Sequence, residues 1–484
     1  MDVDSHAATK PPEQVEATDE VPVHDAVHLQ ARETARSGLR VLTVYGLRIA
    51  GAGVGFVAQI ALARWLSAAE YGIYANIMVW LMLIGGWLSL GLGAAMMRFV
   101  PEYKALARFD LLRGLRRLSL GVAFSLSSLI ALIAIAVLSQ SGDSIAPTYH
   151  KALFYAAFCL PFLALTEVND GFCRGNGWPV RGMAPSLLLR PVMLVAGVAI
   201  AIAVYGRDAT AEDAMALMLV AVAATAVVQA FVARHGARES IGLGSTEYSM
   251  PSWLGVAIPL VMVEGLLHLM NNVDIVLVGA LLPAENVGHY YAATRILMLV
   301  GFVPVAVIAV MAPRFAHFAA TDDHDGLARA VNQAVTLSFW PAAIMALGIV
   351  AAGPLLLAAF GTSFSAAYPA LIILTVSAVA RSAIAPAQTM LVMTGHQRTG
   401  MAILGAAVIA NAGFNLVMIP AFGITGAALA TATAMLLELL LSTIVIRRNF
   451  GFQPVPTLDI GQLRALLRSV LARSPMSQKK CQEV

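Results

Sequence analysis

The feature that most constrains this chain is a succession of apolar runs, each of roughly twenty residues, separated by short polar stretches. A helix rises about 1.5 Å per residue, so a run of about 20 residues crosses the roughly 30 Å hydrocarbon core of a bilayer. Inside lipid only helices or closed barrels satisfy the backbone, and these runs are continuous rather than alternating. Composition agrees: 59% of the 484 residues are hydrophobic and only 12% are charged, too few to cover a water-soluble surface of this size. The chain therefore reads as an all-α, polytopic membrane protein.

The apolar pattern predicts about twelve transmembrane helices, near 39–62, 71–95, 118–138, 152–172, 183–205, 213–233, 255–278, 288–312, 330–352, 366–391, 401–419 and 423–446. Lysine and arginine sort sharply between the alternate loops. One side receives Arg98, Lys104, Arg108, Arg113, Arg116, Arg117, Arg234, Arg238, Arg314, Arg329, Arg447 and Arg448, among others, whereas the opposite loops carry only Arg64, Lys151 and Arg207. The positive-inside rule then puts both termini in the cytoplasm. Residues 1–37, rich in Asp, Glu, Pro and Ala, read as a disordered tail. The segment 457–473 gathers Leu463, Leu466, Leu467, Val470 and Leu471 on one face beside Arg464 and Arg468. It is expected either to lie on the membrane surface or to be a solvated tail helix.

An internal duplication is legible. Trp65-Leu-Ser-Ala-Ala-Glu-Tyr-Gly-Ile-Tyr74 aligns with Leu281-Leu-Pro-Ala-Glu-Asn-Val-Gly-His-Tyr290, and the same ungapped offset lays Arg98-Phe99 over Arg314-Phe315. Two parallel six-helix lobes follow, 38–238 and 239–450, pseudo-symmetric about an axis along the membrane normal and expected to enclose a central cavity.

These segments resemble a known family. Leu66-Ser-Ala-Ala-Glu-Tyr-Gly-Ile-Tyr74, Gly91-Leu-Gly, Arg98-Phe-Val-Pro-Glu-Tyr103, Asn272-Val-Asp-Ile-Val-Leu-Val-Gly-Ala-Leu-Leu282, Ala312-Pro-Arg-Phe315 and Asn415-Leu-Val-Met-Ile-Pro420 are similar, in this order, to polysaccharide-biosynthesis flippases. That family sits within the larger superfamily of multidrug, oligosaccharidyl-lipid and polysaccharide exporters. The resemblance covers residues 38–450. One departure is Ser67, where the family usually has the proline that Pro283 keeps in the second lobe. The resemblance implies an inner-membrane transporter that is not an enzyme. Its cargo would be an oligosaccharide on a polyprenyl-pyrophosphate carrier, moved between leaflets by alternating access without a cofactor. Membrane lipids, a polysaccharide polymerase and chain-length machinery are the implied partners; nucleic acid is not. A proton- or cation-coupled multidrug or metabolite antiporter of the same superfamily is the alternative. A membrane-embedded glycosyltransferase would need large outer loops bearing carboxylates, and the loops here are short.

Ionisable groups in hydrocarbon cost at least about 2.5–3.5 kcal/mol, so each one demands a partner or a wet cavity. Arg48 falls about 13 Å into the first helix, and Glu264 is its counterpart under the duplication. One reading gives Arg48 the carrier pyrophosphate, with Glu264 as counter-ion when the site is empty; the other makes them a permanent structural pair. His268 is one turn beyond Glu264, with Asn271 near the same face; the three suit proton coupling or gating, or a plain polar network. Asp274 is expected to pair with Arg295, which could also touch the sugar as it leaves, and Arg381 with Glu438. Glu167 and Asp170, beside Arg174, read as solvated at a helix end. Thr321-Asp-Asp-His-Asp325 reads as a solvated loop and no metal is expected. Gly51-Ala-Gly-Val-Gly55 lies inside an apolar helix and is a packing feature, not a nucleotide fingerprint.

Overall fold

The structure is a computed structural model that describes residues 23–140, 147–206 and 209–457. Within them the chain is helical throughout, its sole strand-like feature being an isolated bridge between Leu66 and Ala209. The helices are α1 (Val23–Trp65), α2 (Ala68–Leu88), α3 (Leu92–Ala105), α4 (Phe109–Gln140), α5 (Pro147–Gly175), α6 (Pro179–Ala184), α7 (Arg190–Tyr205) and α8 (Ala211–Ile241). There follow α9 (Met250–Leu281), α10 (Ala284–Ala320), α11 (His324–Phe360), α12 (Tyr368–Met393) and α13 (Gln397–Phe450). Eleven helical segments among the described residues are long and apolar enough to cross a membrane.

The last of these is two passes. α13 carries a non-helical Gly423 (φ 60°, ψ −138°), and His396, just before its start, packs on Phe450 at its far end with ring centroids 5.1 Å apart. A straight helix of that length would separate its ends by about 80 Å, so the chain reverses at Gly423. Twelve passes result, as the apolar runs predict. The helix starting at Val23 takes in part of the stretch expected to be a tail. Residues 1–22 and the tail segment 458–473 lie outside the described residues.

Two passes differ from the expectation of uninterrupted helices. The second is broken between α2 and α3, where Leu90 and Gly91 both take positive φ (49° and 72°). A side chain at Gly91 would strike the Ala257 carbonyl of α9, so the break accompanies close packing between the chain's two halves. The fifth contains a π turn, Pro185–Leu189, between α6 and α7. Gly51 of α1 packs directly on it, against Leu187. Ser67, the departure from the family pattern, caps α2 by accepting a hydrogen bond from Glu70 N at 3.2 Å.

The duplication has a direct structural counterpart. Gly72 of α2 lies against the Ala284 carbonyl of α10, and Gly288 of α10 lies against the Ala68 carbonyl of α2. Under the alignment Gly72 matches Gly288 and Ala68 matches Ala284, so the contact is reciprocal, as at a two-fold axis. Tyr71, Tyr74, Tyr290 and Tyr291 are buried around this crossing. Elsewhere large apolar side chains such as Leu132, Phe231, Leu347 and Ile409 point outward, as a lipid-facing surface requires.

Candidate functional site

A cavity of about 600 Å³ is lined mainly by the second half, through α9, α10, α12 and the second arm of α13, with α1 and Met82 of α2 contributing from the first half. Six residues singled out in the sequence line it: Arg48 from α1, His268, Asn271 and Asp274 from α9, Arg295 from α10 and Arg381 from α12. Polar Thr294 and Ser382 and apolar Met298, Phe302 and Leu374 complete much of the wall.

The three arginines are held without acidic partners. The Arg295 guanidinium stacks on Tyr291 with its Cζ 4.1 Å from the ring centroid. Its Nη1 is 3.2 Å from Met298 Sδ, and its buried Nε has no hydrogen-bond partner among the described residues. Arg381 donates to Asn271 Oδ1 at 2.9 Å, and Asn271 donates in turn to the Leu267 carbonyl at 2.7 Å. Arg48 is exposed on the cavity side of α1. None of the three forms an ion pair among the described residues.

The expected pairings among these charges are not formed. Asp274, the lone carboxylate in the cavity wall, does not meet Arg295. It is buried and accepts hydrogen bonds from Tyr290 Oη at 2.7 Å, Thr431 Oγ1 at 3.3 Å and the Ile275 backbone N–H at 2.9 Å. Glu438 does not meet Arg381 but accepts from Gln388 Nε2 at 2.5 Å. Glu264 is outside the cavity wall and forms no ion pair with Arg48 or His268 among the described residues. It lies instead within electrostatic range of Glu167 on α5, and Arg48 within range of Asp170. The duplication equates depth along the two helix axes but not rotation about them. The neighbouring Gly265 is packed against the Trp87 ring, which fixes how α9 is turned. The His268 ring lies over Gly86 of α2.

Glu167 and Asp170 are half-buried rather than solvated, packed against Gly93 and Gly182, and Asp170 pairs with Arg174 at 2.9 Å. In the Asp-rich loop, Asp323 caps α11 through Gly326 N–H at 2.7 Å, and the described residues contain no cluster of three metal-ligating side chains. The sequence pairs Arg381 with Glu438, whereas the structure sets it in the cavity wall beside Asn271. Tyr291 was not singled out in the sequence, although it stands four residues before Arg295, the spacing that stacks side chains one turn apart on a helix.

The Asp274 network carries a stability prediction. Tyr290→Phe removes the shorter of its two side-chain donors and leaves a buried carboxylate short of a partner, at a cost of about 1–3 kcal/mol. Thermal unfolding in detergent should show a lower melting temperature for Tyr290→Phe, and a smaller drop for Thr431→Val on the longer contact. An unchanged melting temperature in Tyr290→Phe would remove the network from the account.

Charge and shape together suit an anion. A guanidinium offers a planar fork of donors that matches phosphate oxygens two at a time. A pocket of this size, apolar with a few converging polar groups, is typical of small-molecule sites.

Comparison with known proteins agrees with the fold. The model of a family described as "Polysaccharide biosynthesis protein" matches residues 40–319, and that of the MatE family matches residues 259–417. No curated protein sequence matches the chain. Among solved structures, an inward-facing multidrug resistance MATE family transporter of the MOP superfamily superposes with a TM-score of 0.67 at 15% identity, over 84% of this chain and 94% of that one. The lipid II flippase MurJ, in an inward closed conformation, gives 0.65 at 13% identity, over 90% and 93%. A MOP superfamily transporter from Pyrococcus furiosus Vc1, whose binding pocket is described as having reversed polarity, gives 0.62 at 14%, over 85% and 95%. With a family model matched over more than half its length and this shared fold, the chain is a multi-pass membrane protein that belongs to the polysaccharide biosynthesis protein family.

Proposed function

We propose that this protein is a flippase that moves an oligosaccharide linked to a polyprenyl pyrophosphate from the cytoplasmic to the outer leaflet of the inner membrane. The observation that carries the reading is the cationic wall: Arg48, Arg295 and Arg381 line one cavity and none of them forms an ion pair among the described residues. Cations held at membrane depth without counter-ions are costly and call for an anionic occupant. The pyrophosphate engages the guanidinium forks, the sugar hydroxyls meet Asn271, Thr294 and Ser382, and the polyprenyl tail stays in the bilayer. The family match supports an oligosaccharide cargo, and the structural likeness to the lipid II flippase supports the lipid carrier. A cationic drug would favour an acidic wall, and Asp274, the single carboxylate there, is hydrogen-bonded and buried.

In this reading both termini are cytoplasmic, as the sorting of Lys and Arg demands. His268 in the wall and Glu264 behind it act as separate coupling groups rather than as a pair, with Asn271 transmitting the state of the site through Arg381. Export that is insensitive to protonophores and intact in Glu264→Gln would end that coupling role.

The test is a deletion strain. Loss of the gene should deplete surface polysaccharide and accumulate lipid-linked repeat units on the cytoplasmic side, and the wild-type gene should restore both. Normal surface polysaccharide together with lost efflux of cationic drugs would favour the antiporter instead.

A further inference from the structure

A second cavity, of about 540 Å³, opens at the end of the molecule where the last pass returns. Its wall includes Arg314 and Phe318 of α10, Arg329 and Gln333 of α11, and Thr457 of the segment that follows α13. Arg329 and Gln333 are one turn apart on the same face of α11, and Gln333 Oε1 accepts from Arg314 Nη1 at 3.2 Å. Two guanidinium groups are thus gathered on one pocket. Neither takes part in an ion pair among the described residues. The acids nearby are otherwise placed: Asp323 caps α11, and Asp325, one turn before Arg329, does not reach it within ion-pair distance.

The duplication makes this lack of an acid specific. In the first half Arg98, the counterpart of Arg314, stands 3.8 Å from Glu102 in a surface ion pair. The residue matching Glu102 is Phe318, which forms part of the pocket wall. The second half has kept the cation and replaced its acid with an aromatic ring.

We propose that this pocket binds the phosphate of an anionic membrane lipid, a function separate from cargo transport. Its position selects a lipid rather than a soluble anion: Val310, one turn from Arg314 on α10, is strongly exposed as a lipid-facing side chain would be. Basic pockets between transmembrane helices near the membrane surface are suited to lipid headgroups. The pocket also reports on the chain that leaves α13. Asn332 Oδ1 accepts from Val455 N at 3.3 Å, Thr336 Oγ1 accepts from Thr457 N at 3.0 Å, and Trp340 Nε1 donates to the Thr457 carbonyl at 3.2 Å. These three side chains form one stripe along α11, so a bound headgroup beside Thr457 firms up the seat of that segment.

The test compares melting temperatures of the full-length protein in nanodiscs of phosphatidylcholine alone and of phosphatidylcholine with phosphatidic acid. Phosphatidic acid should raise the melting temperature of the wild type. Arg314→Gln/Arg329→Gln should lose more than about half of that rise, whereas Arg447→Gln/Arg448→Gln, an equal charge change at the exposed end of α13, should keep it. An equal loss in both double variants would show general surface attraction and overturn the site. So would an equal rise from glycerol 3-phosphate added to phosphatidylcholine discs, which would identify a soluble anion as the ligand. Arg329→Gln alone, on an exposed side chain, serves if the double variant does not fold; retention of the full rise there overturns the proposal as well.

Discussion

Arg295→Ala is expected to reduce export of the lipid-linked oligosaccharide by about ten- to a hundredfold at normal protein levels. Hydrogen bonds to a charged group contribute about 1.5–3 kcal/mol each, and every 1.4 kcal/mol is tenfold in an equilibrium. Arg295 is the arginine for which this loss is least replaceable. Its guanidinium is set by stacking over Tyr291, and its Nε has no partner among the described residues to absorb the change. Arg295→Lys keeps the charge but loses both the fork and the stacking, so it should fall between alanine and wild type. Arg381→Ala should have a smaller effect, because Arg381 already shares its donors with Asn271. Accumulation of lipid-linked units in cells carrying each variant measures the series. Wild-type export by Arg295→Ala would take this residue out of the transport path.

The second large effect belongs to the crossing of α2 and α10. A side chain at Gly72 meets the Ala284 carbonyl, and one at Gly288 meets the Ala68 carbonyl; neither backbone group can rotate aside as a side chain could. Overpacking of a tight contact typically costs about 1–3 kcal/mol, and a backbone obstacle puts Gly72→Val at the upper end of that range. The helices can relieve it by separating at this end of the molecule. Gly72→Val should therefore lower the melting temperature and speed thiol labelling of a cysteine placed at Val287, which is fully buried beside the crossing. Because the contact is reciprocal, Gly288→Val should behave alike. A strong effect in one variant and none in the other would contradict the pseudo-symmetry.

Sequence and structure agree most closely where one physical rule decides. Twelve runs of about twenty apolar residues locate twelve passes because the bilayer thickness leaves little choice. The reciprocal glycines were legible for a similar reason, since an ungapped match of Gly72 to Gly288 points to a shared packing constraint. Features set by tertiary packing were not legible. The break at Leu90–Gly91 and the π turn at Pro185–Leu189 both lie within apolar stretches that hydropathy reads as uniform, whereas the reversal at Gly423 falls at the boundary the apolar runs place between 401–419 and 423–446. Charge pairing failed for a different reason. Asp274 is satisfied by hydroxyls, one of them on Thr431 far along the chain, and no periodicity within α9 could reveal that. Arg381 was marked as an intramembrane charge, yet its seat beside Asn271 depends on how α9 and α12 face each other. Depth along a helix is readable from sequence. Azimuth is set by the neighbour.

The most direct trial of the cationic cavity is equilibrium binding to the purified protein in detergent, with a polyprenyl pyrophosphate bearing a short sugar set against a cationic dye. Saturable binding of the pyrophosphate, weakened at least about tenfold in Arg295→Ala and absent for the dye, is the predicted result. Saturable binding of the dye with none of the pyrophosphate would contradict the account.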